Sequence, residues 1–186
     1  MVKAIYAGTF DPITNGHIDI VTRSLQFCDQ LIIAIGFNPN KKTMFSDEER
    51  MVLIRSTFAH FANIKVVSFQ GLLVEYAKEI KSNILVRGIR SVSDFEYEIN
   101  LANINKVLAP TIETVFLPTS PEMAVVSSSM VKEVARLGGD ITRFVPVHVA
   151  EAIMNKFGFI KTGHCDNPSC DGTCNGIHPA SLGPQK

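Results

Sequence analysis

The sequence has no excess of charge of either sign and no long hydrophobic run. Its 186 residues contain 18 Lys and Arg against 18 Asp and Glu, so no global basic field favours binding to nucleic acid or to a membrane surface. The longest apolar run, 31–37, is far shorter than the roughly 20 residues that cross a bilayer, and no signal-peptide pattern follows Met1. We therefore expect a soluble, cytoplasmic protein that binds neither nucleic acid nor membrane.

Cysteine is scarce in the body of the chain, where Cys28 stands alone. The other three cysteines lie in 160–186, a stretch dominated by Gly, Pro, Asn and Asp. This composition predicts one domain over 1–159 followed by an irregular C-terminal tail. The zinc-ligand types in the tail are His164, Cys165, Cys170, Cys174 and His178. Because no Cys-x2-Cys pair is present, we favour a tail without a metal site, with zinc binding as the alternative.

Segments with strand and helix patterns alternate along the chain. The predicted strands cover 2–6, 30–37, 63–69, 83–86 and 111–117. Strands joined by helices through short connections imply right-handed crossovers, so the predicted fold class is α/β, a doubly wound five-stranded parallel sheet of the Rossmann-like kind. Ligands of such sheets bind at the carboxyl ends of the strands.

Two helix starts carry the sequence pattern of a capping box. Ser46 with Glu49 opens the second predicted helix, and Ser93 with Glu96 opens the fourth, which runs to about residue 108. The fourth helix also has an apolar stripe at helical spacing, formed by Tyr97, Leu101, Ile104 and Leu108.

A glycine-containing turn joins the first strand to a helix whose first turn carries His17. The free backbone amides at a helix N-terminus favour an anion such as phosphate. Neither G-x-G-x-x-G nor G-x-x-x-x-G-K-[ST] occurs here, which excludes the usual dinucleotide and P-loop sites. His17 is a candidate catalytic residue, with a purely structural histidine as the alternative.

Cations follow two other predicted strands. Lys41 and Lys42 come after the second strand, where they are either solvated or able to hold a phosphate as point charges. Arg87 and Arg90 follow the fourth strand, and their forked donors suit phosphate oxygens. All of these groups belong at the same edge of the predicted sheet.

Polar residues on the next two helices complete this edge. Asp94, Glu98 and Asn105 share one helical stripe, which either pairs with the arginines or contacts a ribose or polar amide of a ligand. Three hydroxyls open the following helix, at Ser127, Ser128 and Ser129, where serine is also a common cap.

Five blocks together carry a resemblance to a known family. They are Tyr6-Ala-Gly-Thr-Phe-Asp-Pro-Ile-Thr-Asn-Gly-His17, Asn40-Lys-Lys42, Leu85-Val-Arg-Gly-Ile-Arg90, Asp94-Phe-Glu-Tyr-Glu98 and Ser127-Ser-Ser-Met-Val-Lys-Glu133. The first block, with its Thr14-x-Gly-His17 signature, resembles the nucleotidyltransferase superfamily. The whole set, over about 2–158, resembles the bacterial phosphopantetheine adenylyltransferases.

The resemblance implies transfer of an adenylyl group from ATP to 4′-phosphopantetheine, giving dephospho-coenzyme A and pyrophosphate, with Mg2+ accompanying ATP and a homohexameric assembly. It assigns catalysis to His17, Lys41 and Arg90. It assigns 4′-phosphopantetheine to Thr9, Lys41, Leu73 and Arg87. The positions that it assigns to ATP are Thr9, Phe10, His17, Gly88, Ile89, Arg90, Glu98, Met123, Ala124, Val125, Val126, Ser127, Ser128 and Ser129.

The chain departs from the family in the loop before Ser127. Met123 stands where the family commonly has an aromatic residue, and Val125 stands where phenylalanine is usual. The resemblance implies mainly backbone contacts from this loop, so the departure bears on adenine packing and nucleotide affinity.

Two other functions remain as alternatives. One is a related nucleotidyltransferase that acts on nicotinate mononucleotide or glycerol phosphate, which would share Thr14-x-Gly-His17 but not the full block from Arg87 to Glu98. The other is a catalytically impaired member that only binds a nucleotide or coenzyme. Turnover with defined acceptors distinguishes the three.

Overall fold

A computed structural model describes residues 1–36 and 42–159. Five strands are present in this part of the chain: β1 (Lys3–Gly8), β2 (Gln30–Gly36), β3 (Ile64–Phe69), β4 (Ile84–Ile89) and β5 (Glu113–Pro118). The α-helices are α1 (Asn15–Ser24), α2 (Asp47–Thr57), α3 (Leu73–Glu79), α4 (Val92–Leu108), α5 (Ser128–Arg136) and α6 (Val147–Lys156), with a 3-10 turn at Pro121–Met123. No helix among the described residues has both the length and the apolar character needed to cross a membrane.

The strands form one parallel sheet in the order β3-β2-β1-β4-β5, which confirms the predicted fold class. The central strand β1 pairs with β2 on one side, where Ala4 lies opposite Leu31, and with β4 on the other, where Ala4 lies opposite Ile84. The chain moves outward from β1 to β3, then returns to β4 on the opposite side. This reversal leaves a crevice between the carboxyl ends of β1 and β4, where doubly wound sheets bind ligands.

Both faces of the sheet are covered by apolar side chains. Alternate residues of β1 point to opposite faces, so that Tyr6 joins the larger cluster beneath α1, α2, α5 and α6, whereas Ile5 joins the smaller cluster beneath α3. Ile5 and Ile33 are fully buried, as a central parallel strand requires. Each such side chain contributes about 1.5–3 kcal/mol when it is removed from water.

The predicted cap of α2 is confirmed, and the predicted cap of α4 is wrong. The amide of Glu49 donates to Oγ of Ser46 at 3.2 Å, and the amide of Ser46 donates to Oε2 of Glu49 at 2.8 Å. In α4 the N-cap is Ser91, whose Oγ accepts from the amide of Asp94 at 3.2 Å. β4 runs on to Ile89 and the chain turns at once into the helix, so Ser91 is the residue with the extended backbone that a cap needs.

The apolar stripe of α4 does not face the core. No residue of this 17-residue helix is buried, and Tyr97 and Ile104 are 68% and 56% exposed. The side of α4 that faces the sheet instead carries Asp94 and Glu98, because these carboxylates pair with arginines of and after β4.

Candidate active site

A cavity of about 460 Å³ opens at the carboxyl ends of β1 and β4, within the size range of small-molecule sites. The N-terminal turns of α1 and α5 and the first half of α4 border it. Most of the residues singled out from the sequence line this cavity: Thr9, Phe10, His17, Arg87, Gly88, Arg90, Glu98, Val126, Ser127, Ser128 and Ser129. Segments more than 100 residues apart in the chain therefore meet in one site.

Several candidate positions lie elsewhere. Lys41 is outside the described residues, and five others do not line the cavity: Leu73, Ile89, Met123, Ala124 and Val125. Leu73 begins α3 and packs on the smaller apolar cluster. Met123 packs against the larger cluster, and Val125 is 76% exposed. The proposed backbone contacts of 123–125 to a nucleotide stay a prediction.

His17 is held by Thr14, the N-cap of α1. The backbone amide of Thr14 donates to Nδ1 of His17 at 3.0 Å, and the hydroxyl of Thr14 lies 2.9 Å from the same nitrogen. Because an amide can only donate, Nδ1 carries no proton, and the proton of the neutral ring sits on Nε2. His17 therefore offers one N–H donor.

The environment keeps this imidazole neutral. Burial, with a smaller contribution from the positive charge of Arg90, lowers the pKa of His17 from 6.5 to about 4. Near pH 7 the ring can polarise a phosphate oxygen by donating a hydrogen bond, without adding a charge of its own.

The turn after β1 is tightly packed and strained. Phe10 has a left-handed backbone, with φ at 48°, and its ring meets the rings of His17 and Tyr6 edge-on at centroid distances of 5.1 and 5.4 Å. A Cβ on Gly8 would lie 3.0 Å from the Phe10 ring, so only glycine fits there without displacing it. The turn thus fixes the ring that supports His17.

The two arginines of the Arg-Gly-Ile-Arg block are oriented by α4. Nε of Arg87 donates to Oε2 of Glu98 at 2.5 Å, and its Nη1 donates to the carbonyl of Ala7 at 2.8 Å. Arg90 makes a two-pronged pair with Asp94, at 2.9 and 3.3 Å. The carboxylates of α4 therefore pair with the arginines, as one of the two sequence interpretations expected.

Glycine at position 88 allows α1 to approach β4 closely. A Cβ there would lie 3.0 Å from Cγ1 of Ile20 and 3.6 Å from the hydroxyl of Tyr6. Any larger side chain would have to displace the side chain of Ile20. The position therefore helps to set the distance between the amides of α1 and the arginines.

Sequence reasoning gave no role to Asp11 and Lys132, which also line the cavity. The buried Asp11 carboxylate accepts from Lys132 Nζ at 2.7 Å and from the amides of Met44 and Phe45 at 3.0 Å each. Burial alone would raise the pKa of Asp11, but these hydrogen bonds outweigh burial and lower it. A signal did exist, since Asp11 lies between the glycine turn and His17, and Lys132 follows Ser128 by one helical turn.

The segment between β5 and α5 is anchored to α1. Asp19 accepts from the amide of Ser120 at 3.1 Å and from its hydroxyl at 2.8 Å, and Arg23 donates to the carbonyl of Pro118 at 2.6 Å. No local pattern indicates the contact between Asp19 and Ser120, because the two residues are 101 positions apart in the chain.

The serines after this segment serve partly as structure. Oγ of Ser127 caps α5 by accepting from the amide of Met130 at 3.1 Å, and Ser128 donates to the carbonyl of Pro12 at 2.7 Å. The N-terminal amides of α5 are thereby brought to the cavity, where they favour an anion.

The charge of the cavity wall suits a polyanion. Three cations, Arg87, Arg90 and Lys132, line it together with the carboxylates of Asp11 and Glu98, and two helix N-termini border it. Among residues 1–36 and 42–159, no three or more His, Cys, Asp or Glu side chains are grouped so that they could hold a metal ion. The cations and the helix N-termini are donors suited to phosphate oxygens.

Comparison with known proteins agrees with this class of site. The sequence profile of the cytidylyltransferase-like family matches residues 5–134, and the chain belongs to that family within the nucleotidyltransferase superfamily. Its fold resembles that of a protein from Vibrio parahaemolyticus described as a nicotinate-nucleotide adenylyltransferase. The TM-score is 0.64 at 18% identity, over 83% of this chain and 93% of the other.

Proposed function

We propose that the protein transfers an adenylyl group from ATP to 4′-phosphopantetheine, producing dephospho-coenzyme A and pyrophosphate. The observation that carries this proposal is the meeting of two motifs in one cavity, Thr14-x-Gly-His17 at the end of β1 and Arg87-Gly-Ile-Arg90 at the end of β4. The resemblance associates the second motif, together with Asp94 and Glu98 of α4, with 4′-phosphopantetheine as the acceptor.

The chemistry is a displacement at the α-phosphorus of ATP. An oxygen of the acceptor phosphate attacks that phosphorus and forms a new phosphorus–oxygen bond. The bond from the α-phosphorus to the bridging oxygen breaks, and its electron pair leaves with pyrophosphate. Since the nucleophile is already an anion, no general base is required, and positioning with charge stabilisation supplies most of the acceleration.

His17 and Thr9 act on the phosphates that react. The Nε2–H donor of His17 stabilises the charge that develops on the α-phosphate oxygens, and the low pKa of the ring keeps this donor in its neutral form. Arg90 adds positive charge on the nucleotide side of the cavity. Lys41 orients the acceptor phosphate, as the resemblance implies.

Arg87 recognises the acceptor, with Leu73 contributing through its backbone as the resemblance implies. Its Nε and Nη1 are engaged by Glu98 and by the Ala7 carbonyl, which hold the guanidinium plane at the wall of the cavity. A guanidinium fixed in this way loses little further conformational entropy on meeting a phosphate.

Magnesium enters this scheme as part of the substrate, bound to the triphosphate. The acidic side chains at the cavity wall are already engaged, Asp11 by Lys132 and Glu98 by Arg87, so the described donor set offers no dedicated metal cage. Mg2+ commonly keeps several waters and is held mainly by substrate phosphates, which is the role that this proposal gives it.

A second candidate is adenylyl transfer to nicotinate mononucleotide. It is favoured by the description of the Vibrio parahaemolyticus protein that shares the fold. Both reactions use the same phosphate chemistry, and they differ in the group that Arg87 and the adjoining surface must recognise.

The protein is also proposed to self-associate through α4, as a homohexamer by family resemblance. Large apolar side chains of this helix face solvent, and Val92, Ile104 and Val107 are 77%, 56% and 82% exposed. A helix with several exposed apolar side chains is normally covered by another surface, and no other described element of the chain covers these three. A second copy of the chain provides matching apolar surface.

The deciding experiment measures pyrophosphate release from ATP and Mg2+ by the purified full-length protein. Parallel reactions contain 4′-phosphopantetheine, nicotinate mononucleotide, glycerol phosphate or no acceptor, and mass spectrometry identifies the adenylylated product. We expect product only with 4′-phosphopantetheine. Product with nicotinate mononucleotide alone selects the second candidate. ATP binding with no product from any acceptor selects a nucleotide-binding protein.

A further inference from the structure

A buried arginine outside the cavity contacts the turn that carries Thr9. Arg50 lies in α2, is 3% exposed and does not line the cavity. Its Nη1 donates to the carbonyl of Thr9 at 2.7 Å, and its Nη2 pairs with Asp47. None of the sequence motifs described above includes this residue.

The arrangement at Arg50 is poorly optimised for stability. Its Nε is buried and has no hydrogen-bond partner among the described residues, which costs free energy. The ion pair with Asp47, which is 25% exposed, is in addition weak evidence of a stabilising role, because desolvation of the buried guanidinium opposes the attraction. A role in holding geometry accounts for the arginine better than a contribution to stability does.

The turn that Arg50 grips needs such support. The residue after Thr9, Phe10, has a left-handed backbone that is unfavourable for a side chain of its size, and such strain persists only where the surroundings enforce it. On the other side of Phe10, the carboxylate of Asp11 is held by the amides of Met44 and Phe45. Hydrogen bonds from residues 44–50 thus hold the chain on both sides of Phe10.

We propose that Arg50 is a positioning residue, which holds the Thr9 carbonyl so that the Thr9 side chain faces the phosphates of the substrate. The inference rests on the proposed function of the cavity. By this proposal α2, which does not border the cavity, helps to align the reacting groups through Arg50.

The test is a double-mutant cycle between Arg50→Met and Thr9→Ala, read on kcat and KM for ATP in the full-length protein. We expect Arg50→Met to lower kcat by about 10–100-fold, as displacement of an aligned group does, and to change KM for ATP by less than about threefold. In the Thr9→Ala background the same substitution should cost less than about threefold, because the group that it positions is already gone.

The matched control is Arg55→Met. Arg55 is also an arginine of α2 that donates to a backbone carbonyl, that of Val66 at 3.3 Å, but it contacts nothing near the cavity among the described residues. We expect its kcat and KM to equal those of the wild type. Arg50→Lys, which keeps the charge and one donor, should recover part of the lost kcat, and it replaces Arg50→Met in the cycle if the methionine variant does not fold.

The outcomes separate this inference from the proposed function. Suppose that the wild type is active and Arg50→Met lowers kcat by the same factor in the wild-type and Thr9→Ala backgrounds. This result overturns the positioning role of Arg50 and leaves the proposed function standing. If the wild type makes no product with any acceptor, the proposed function fails, and the positioning role, which is defined by its effect on kcat, fails with it. A wild type that does not bind ATP removes both.

Discussion

The backbone amide of Thr14 and Nδ1 of His17 form a 3.0 Å hydrogen bond that decides which nitrogen of the histidine carries its proton. The same contact serves as half of a capping box at the start of α1, so the helix cap and the tautomer of the candidate catalytic residue have one cause.

The Nε2–H donor predicts how substitutions at His17 behave. His17→Ala should lower kcat by about 10²–10³-fold with a small change in KM for ATP, as loss of one donor to a developing oxyanion does. His17→Gln, whose amide nitrogen can reach the same region, should keep more of the activity. Steady-state kinetics on the two variants checks this, and wild-type turnover in His17→Ala would refute the assignment.

The low pKa of His17 predicts an acid-dependent loss of stability. In the unfolded chain the imidazole takes up a proton below about pH 6.5, whereas the folded protein excludes that proton until about pH 4. The contribution of neutral His17 to stability is therefore complete above pH 6.5 and is lost as the pH falls toward 4. Urea unfolding at pH 7.5 and 5.0 should reveal a loss at the lower pH of at most about 2 kcal/mol, which His17→Gln lacks.

The pairs between α4 and the arginines predict a division of kinetic effects. Glu98→Gln loosens Arg87 and should raise KM for 4′-phosphopantetheine by about 5–20-fold, whereas Asp94→Asn loosens Arg90 and should raise KM for ATP instead. Each variant is the control of the other. Equal changes in both KM values for both variants would contradict separate roles for the two arginines.

The position of Met123 predicts that restoring the family's aromatic residue has little effect. Its side chain packs against the larger apolar cluster and does not line the cavity, so a nucleotide bound in the cavity would not touch this side chain. We expect Met123→Tyr to leave KM for ATP within about twofold of the wild-type value. A marked fall in KM would mean that the segment 121–126 closes onto the nucleotide.

The exposed face of α4 predicts the response of the assembly to added charge. Val107→Glu, at a position that is 82% exposed in the single chain, should reduce the particle mass measured by light scattering after gel filtration, because a buried unpaired charge is costly. Leu137→Glu, at the C-cap that follows α5 and at a site that is 78% exposed, is the matched control and should leave the mass unchanged. Equal masses for both variants would exclude α4 from the contact.

Most of the fold could be predicted because its signals are local. The continuous apolar runs of β1 and β2, the helical periods between strands and the cap at Ser46 each depend on neighbours within a few residues. The start of α4 was misplaced because Ser91 and Ser93 are both acceptable caps. Only the extension of β4 to Ile89 selects the first of them.

The contacts that orient the site were less predictable, since they join distant segments. The Asp11–Lys132 pair links residues 121 apart, and the anchor from Asp19 to Ser120 links residues 101 apart. Each residue was visible as a charged or polar side chain in the sequence. Its partner was decided only when the sheet brought β1, β5 and α5 together.

By itself, the sequence determined the order of strands and helices. It also supplied donors that suit phosphate at or after the carboxyl ends of strands, namely Thr9, His17, Arg87 and Arg90. It could do so because side-chain periodicity and cap chemistry act over a few residues. Tertiary structure alone decided that Asp94 and Glu98 of α4 pair with arginines while Val92, Ile104 and Val107 face solvent. It also decided that Arg50 donates to the carbonyl of Thr9, the residue before Phe10. The reason is that burial and ion pairing depend on residues that are distant in the sequence and close in the fold. Local sequence patterns do not identify those residues.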